Sequence, residues 1–192
     1  MMSVMVAHAD QSAPGQLELI RGFVNTFDLE HDTDELSTGS GASGWLTDNS
    51  LPGGERALER AERERLIAVR EALRELLLAN NSGESPPPAA IATLNEQSED
   101  AAIGLRFSAT GGELVTRCEG VDSSIARLLA IVHEAMGDQT WPRLKVCPAD
   151  DCRWAFYDRS RNRSGTWCEM GDCGNRAKAR AYRERRRHDR ER

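Results

Sequence analysis

The chain has 192 residues, of which 39% are hydrophobic and 29% are charged, and its formal net charge is -6. This length is short for two large domains and favours one main domain with an appendage. No apolar run approaches the roughly 18 residues that span a bilayer, which argues against a membrane protein. Residues 1–10 contain neither Lys nor Arg. They do not resemble a secretory signal, so we expect a cytoplasmic protein.

The net charge is unevenly distributed. From Arg143 onward there are 15 Lys and Arg residues against 8 Asp and Glu residues, which gives a net charge of +7. The preceding 142 residues hold 10 basic and 23 acidic residues, a net charge of -13. An asymmetry of this kind indicates an acidic body and a basic binding arm.

The first predicted element is a helix that follows a loose leader, residues 1–16. Within residues 17–28 (LELIRGFVNTFD) the apolar side chains recur at helical spacing. They form one stripe of Leu17, Ile20, Phe23, Val24 and Phe27. Residues 37–44 are rich in Gly and Ser, and this composition predicts a loop.

The longest helical signal runs over residues 53–81, which are dense in strong helix formers. Its predicted buried face consists of Leu66, Val69, Leu73, Leu76 and Leu77. Its predicted solvent face consists of Glu55, Glu59, Glu62, Arg63 and Arg70. Three prolines end this helix because proline cannot continue one. Proline suits the first helical turn, however, so the next helix is predicted over residues 88–100.

A hairpin and one more helix complete the body. Residues 103–108 and 113–118 are short extended runs on either side of a Thr-Gly-Gly turn, which predicts a β-hairpin. Residues 121–136 predict a helix with Asp122 or Ser123 as the N-cap. We therefore expect a mostly helical body that covers about residues 1–141.

Four of the five cysteines lie in the last quarter of the chain. They form two C-x4-C pairs, Cys147 with Cys152 and Cys168 with Cys173. In a chain without an export signal, paired spacing favours a metal site over disulfides. Four thiolates close the coordination sphere of one Zn²⁺, so the zinc is expected to be structural and the protein is not expected to be an enzyme. The fifth cysteine, Cys118, is expected to be a small buried residue.

Residues 142–192 are predicted to form the zinc module. Residues 154–157 predict a strand, and the polar residues 158–165 predict a turn that brings the chain back to the second cysteine pair. This pair leads into a helix, whose N-terminal partial charge stabilises thiolates. The expected fold class is therefore mainly α with a small β-hairpin: a helical domain followed by a treble-clef-like four-cysteine finger that ends in a basic helix.

Basic side chains are concentrated on this module. Four arginines of the terminal segment recur at positions i, i+4, i+7 and i+11, which places them on one helical face. Arginine forms planar, bidentate contacts with phosphate or guanine. The predicted nucleic-acid contacts are Arg159, Arg161, Arg163, Arg176, Lys178, Arg180, Arg183 and Arg187. The alternative interpretation of the helix is a solvated charged surface.

Two motifs resemble known families. The segment CPADDCRWAFYDRSRNRSGTWCEMGDCGNRAKARAYR, which starts at Cys147, resembles the bacterial CGNR zinc-finger family, including its DRSRNR loop. The resemblance implies that Cys147, Cys152, Cys168 and Cys173 are zinc ligands. The motif FVNTFD, residues 23–28, is similar to the opening signature of the ABATE domain, a family described as transcription regulators induced by stress.

The resemblance implies a DNA-binding transcription regulator, and double-stranded DNA is then the expected partner. The residues alone indicate only a zinc-stabilised module that binds nucleic acid. Three other hypotheses stay open: binding of RNA, an adaptor whose basic helix docks on an acidic partner or on its own body, and a zinc-based redox sensor. A homodimer and a small-molecule effector also stay open.

Overall fold

The computed structural model describes residues 11–190, with side chains described to residue 187. The predicted leader therefore lies largely outside the described residues. The helices are α1 Leu17–Val24, α2 Gly39–Asp48, α3 Arg60–Ser82, α4 Pro88–Asp100, α5 Gly120–Gly137 and α6 Asn175–Arg190. The antiparallel strand pairs are β1 Phe27–Asp28 with β2 Thr33–Asp34, β3 Gly104–Ser108 with β4 Gly111–Val115, and β5 Leu144–Val146 with β6 Ala155–Tyr157. Among these helices, none combines the length and the apolar composition that crossing a membrane requires.

Helix α3 is central to the body and packs against α1, α4, α5 and β5. All five leucine and valine residues of its predicted apolar face are buried. The helix starts at Arg60 rather than at residue 53, because a capping box between Glu59 and Glu62 satisfies the first backbone amides. The assignment of Arg70 to the solvent face is wrong. Its side chain is only 2% exposed, since Asp34 and Glu71 pair with its guanidinium.

Helix α2 contradicts the predicted loop over residues 37–44. The hydroxyl of Thr38 caps the helix by accepting a hydrogen bond from the Gly41 amide at 3.0 Å. A Cβ atom at Gly39 would lie 2.4 Å from the Leu58 carbonyl oxygen, so a glycine is needed for this close packing. Trp45 is buried against Phe23, with ring centroids 5.0 Å apart. Tertiary packing thus outweighs the low helix propensity of the segment.

The other body elements mostly follow the sequence pattern. Helix α4 has the predicted bounds. The predicted hairpin forms as β3 and β4, but Gly111 and Gly112 pair within the second strand rather than forming the turn, and this strand ends at Val115. The N-cap of α5 is Glu119, however, and Asp122 lies in the first turn, where it pairs with Arg65. Cys118 is partly exposed rather than buried, and it lies apart from the other cysteines.

The predicted strand at residues 154–157 is confirmed as β6, but its partner precedes the first cysteine. β6 pairs with β5, so the first C-x4-C pair lies in the connection between them. Leu144, Val146 and Ala155 are fully buried in the same apolar core as the body helices. The zinc module is therefore packed directly on the body.

Candidate zinc centre and its basic surround

The four C-terminal cysteines converge on one point. Their sulfur atoms all lie within 4.8 Å of one another, and all four residues are buried. The Cys152 and Cys168 sulfurs are 3.5 Å apart, and those of Cys168 and Cys173 are 3.7 Å apart. Ligands at about 2.3 Å from a tetrahedral zinc ion would be about 3.8 Å apart, so the donor set fits zinc in number, chemistry and size.

The first cysteine pair is positioned by the β5–β6 connection. The Cys147 amide donates to the Trp154 carbonyl at 2.9 Å, and the Cys152 amide donates to the Ala149 carbonyl at 3.0 Å. These bonds fold the intervening residues into a tight turn that points both sulfurs the same way.

The second pair is positioned by a short π-helical turn, Met170–Gly174, that leads into α6. Gly174 is buried, and a Cβ atom there would lie 2.5 Å from the sulfur of Met170, so a larger residue would displace this flexible side chain. The glycine of the CGNR tetrapeptide is therefore packed against the side chains of Met170 and Trp167, next to the fourth cysteine.

The crowded sulfurs need a cation to be ionised together. Hydrogen bonds from the thiols of Cys152 and Cys168 lower the pKa of Cys147. The same contact with Cys147 raises the pKa of Cys152 and of Cys168, because a proton is retained beside the first thiolate. A bound divalent ion offsets this repulsion and replaces the shared protons.

The loop after β6 is held by a buried ion pair. The Lys145 Nζ atom lies 2.8 Å from Asp158 Oδ2, and the two side chains are 5% and 2% exposed. Lys145 also donates to the carbonyls of Arg163 and Gly165, and Asp158 accepts from the amides of Ser160 and Gly165. The DRSRNRSG segment is thus a fixed loop rather than a simple reverse turn.

The three loop arginines differ in their surroundings. Arg159 donates to the Ser12 carbonyl at 2.8 Å and lies over the Tyr157 ring, so it is attached to the segment before α1. Arg161 and Arg163 are exposed at the far part of the loop, where Arg163 has a φ of 54°. The loop therefore presents two arginines outward on a rigid backbone.

The predicted arginine stripe on α6 is divided between two surroundings. Arg176 and Arg180 line a groove of about 170 Å³ between α6 and the turn after Cys147, together with Asp150 and Asp151. Arg176 is half-buried there, and Arg180 is exposed. The other predicted contacts on this helix are exposed: Lys178, Arg183 and Arg187.

Three exposed α6 residues were not among the predicted contacts. Tyr182 is 55% exposed, the Arg186 guanidinium lies 5.8 Å from the centre of its ring, and Arg185 is exposed beside them. At 100° per residue these three lie on the side of α6 away from the groove. The sequence does not show which side of α6 lines the groove, so it could not distinguish this outward side.

Sequence reasoning also missed the residues that join the body to the zinc module. The Arg74 guanidinium donates to the Arg153 carbonyl at 2.8 Å and to the Val24 carbonyl at 2.7 Å. Asn81 Nδ2 donates to the carbonyls of Val146 and Thr166, both at 2.7 Å. The burial of Arg74 cannot be predicted from the helical pattern, because that pattern assigns arginine to the solvent-exposed face.

Comparisons with known families agree with this geometry. The CGNR zinc finger model matches residues 143–186, which contain all four clustered cysteines. The ABATE model, described as a "Putative stress-induced transcription regulator", matches residues 18–138. No curated protein shows significant similarity to the chain. Since the ABATE match covers more than half of the sequence, the chain belongs to the ABATE family and carries a C-terminal CGNR zinc finger.

Proposed function

We propose that this protein is a DNA-binding transcription regulator and not an enzyme. The observation that carries the proposal is a set of exposed basic side chains on the zinc module. Zinc bound by the four cysteines would hold this module in one conformation. No ion pair joins Lys178, Arg180, Arg183 or Arg187 to another residue among the side chains described up to residue 187. These cations are therefore available for phosphate groups.

The charge distribution supports the same function. The acidic body carries a net charge of -13 up to residue 142 and would be repelled by DNA, so it would favour contact through the basic module alone. In this role the zinc supplies no chemistry beyond structural coordination, and it holds the loop and α6 in one arrangement. A chromosomal target would place the protein in the cytoplasm. That the protein forms a homodimer and that it binds a small-molecule effector stay predictions.

The proposal is tested by measuring the affinity for fluorescent duplex DNA over a range of salt concentrations. We expect the logarithm of the affinity to fall linearly with the logarithm of the salt concentration. The double variant R183Q/R187Q should reduce the slope by about 0.9 for each lost phosphate contact. The double variant R56Q/R60Q removes the same charge from exposed positions of the body and is the matched control. Absence of binding at low salt, or equal behaviour of both variants, would contradict the proposal.

The exposed ring of Tyr182 favours a second candidate function, binding of single-stranded RNA. Exposed aromatic rings stack on unpaired bases and contribute about 1–3 kcal/mol per base. Competition between duplex DNA and single-stranded RNA distinguishes the two partners. If RNA is preferred and Tyr182→Ala weakens RNA binding, the module is an RNA-binding one.

An adaptor function is the remaining alternative. A basic helix that docks on an acidic protein would leave DNA affinity unaffected by R183Q/R187Q. The same titration therefore separates this function from DNA binding.

A further inference from the structure

We propose that Arg176, the last residue of the CGNR tetrapeptide, stabilises the zinc centre and does not contact nucleic acid. Its guanidinium lies beside the fourth cysteine of the cluster. Arg176 Nη2 lies 3.1 Å from the Cys173 sulfur, within hydrogen-bond distance. A hydrogen bond from a guanidinium to a metal-bound thiolate offsets charge at the sulfur and orients it toward the metal.

The charge of the site explains why a cation is needed at this point. Zn²⁺ with four thiolates carries a net charge of -2, and three carboxylates lie around the same guanidinium. Arg176 is 3.3 Å from Glu30, 3.5 Å from Asp172 and 4.0 Å from Asp151. Without Arg176, these carboxylates would face the Cys173 sulfur with no cation between them.

The same surroundings are unsuitable for a phosphate contact. A phosphate that approached Arg176 would also approach Glu30, Asp151 and Asp172, and like charges repel at this range. The side chain is 36% exposed. Lys178, Arg183 and Arg187, in contrast, are exposed and lack ion-pair partners among the side chains described up to residue 187.

Arg176 also connects the zinc centre to the body. Glu30 belongs to the turn between β1 and β2, whereas Cys173 and Asp172 belong to the turn that leads into α6. The guanidinium therefore links the start of α6 to a turn 146 residues earlier in the chain. The position of α6 on the module depends on this link as well as on the zinc.

The test compares R176Q with R183Q, which removes the same charge from an exposed position on the same helix. We measure the zinc affinity of each full-length holoprotein by competition with a chromogenic chelator, together with the rate of zinc release. R176Q should lower zinc affinity by about 10–100-fold, the usual effect of losing a partner of a metal ligand. R183Q should leave it unchanged. R176K retains the charge but lacks the planar pair of donors, so its zinc affinity should lie between those of the wild type and R176Q.

Two further measurements make the assignment specific to Cys173 and to zinc. Alkylation followed by peptide mass spectrometry should show that Cys173 reacts first in R176Q and R176K. The salt dependence of DNA binding should decrease in R183Q but not in R176Q. Wild-type zinc affinity and release in both R176Q and R176K would overturn the proposal. The zinc measurements do not require DNA. They therefore test the role of Arg176 even if the protein binds no DNA and the proposed function fails.

Discussion

The side chain of Asn25 pairs with the backbone of Ala155 as a neighbouring strand would. Asn25 Nδ2 donates to the Ala155 carbonyl at 2.9 Å, and the Ala155 amide donates to Asn25 Oδ1 at 2.7 Å. Both residues are buried, and they are 130 residues apart in the chain. The asparagine of the FVNTFD motif therefore attaches the end of α1 to β6 of the zinc module. This use of Asn25 also ends α1 at Val24, before the position predicted from the apolar stripe.

Replacing Asn25 should destabilise the whole protein. Asn25→Ala leaves the amide and the carbonyl of Ala155 buried without partners, and each such group costs about 1–3 kcal/mol. We expect a loss of roughly 2–5 kcal/mol in the free energy of unfolding, measured by urea denaturation of the zinc-loaded protein. Asn95→Ala on the exposed side of α4 is the control and should be nearly neutral. A change of less than about 0.5 kcal/mol for Asn25→Ala, the range of ordinary surface substitutions, would contradict a docking role.

Removal of zinc should weaken the body as well as the finger. β5 and β6 contribute three fully buried residues to the common core, and Arg74 and Asn81 of α3 donate to carbonyls of the module. Chelation should therefore reduce amide-exchange protection in α1 and α3, since the zinc-binding free energy supports these contacts. Cys118→Ser is a control that should retain zinc and protection, because Cys118 lies outside the cluster. Unchanged protection of α1 and α3 after complete chelation would show that the two parts fold independently.

Breaking the buried pair under the arginine loop should cost more than breaking a surface pair. Lys145→Met leaves the Asp158 carboxylate buried without its cation, and the loss of one partner of a buried pair costs about 3–5 kcal/mol. Arg106→Met, in the exposed pair with Glu113, should cost at most about 1 kcal/mol. Denaturant titrations of both variants check the difference. We also expect Lys145→Met to weaken DNA binding, because the loop that carries Arg161 and Arg163 would lose the bonds that fix it. DNA binding at wild-type strength would argue against a contact between this loop and DNA.

The zinc ligands could be identified from the sequence because their signal is local. Two cysteine pairs and the CGNR resemblance define all four residues without any knowledge of the body. The apolar face of α3 was equally readable, since a helical period recurs over several turns. In both cases the information lies in the spacing of neighbouring residues.

The errors arose where contacts distant in sequence decide the structure. Residues 39–48 form a helix because Trp45 is buried and the glycines pack against Leu58 and Glu35, which no local pattern shows. Arg70 is buried because Asp34 lies beside it, 36 residues earlier. The grouping of Arg176 with Arg180, Arg183 and Arg187 rests on spacing alone and stays a prediction, whereas its neighbours Glu30 and Asp151 come from other parts of the chain.

The pair of Asp34 and Arg70 predicts an acid-dependent loss of stability in the body. Burial alone would raise the pKa of Asp34, but two hydrogen bonds from Arg70, at 2.6 and 2.8 Å, hold it below its ordinary value of 3.8. When folding lowers the pKa of a carboxyl group, that group stabilises the folded protein at every pH above the ordinary pKa of the group. That contribution is lost as the pH falls below 3.8 and through the lower pKa of the folded state.

Asp34→Asn isolates this contribution. The amide oxygen can still accept hydrogen bonds from the Leu36 amide and from Arg70 Nη1, but the amide nitrogen cannot accept the bond from Arg70 Nη2. The variant therefore removes the charge together with one hydrogen bond, and only the charge depends on pH. The wild type should be more stable than the variant by a constant amount from pH 7 down to about pH 5, and the difference should shrink toward pH 3. Because acid also protonates the cysteines and releases zinc, only the difference between the two proteins is compared, in the same buffers and at the same total zinc concentration. A difference that is unchanged down to pH 3 would mean that the pair does not depend on the charge of Asp34.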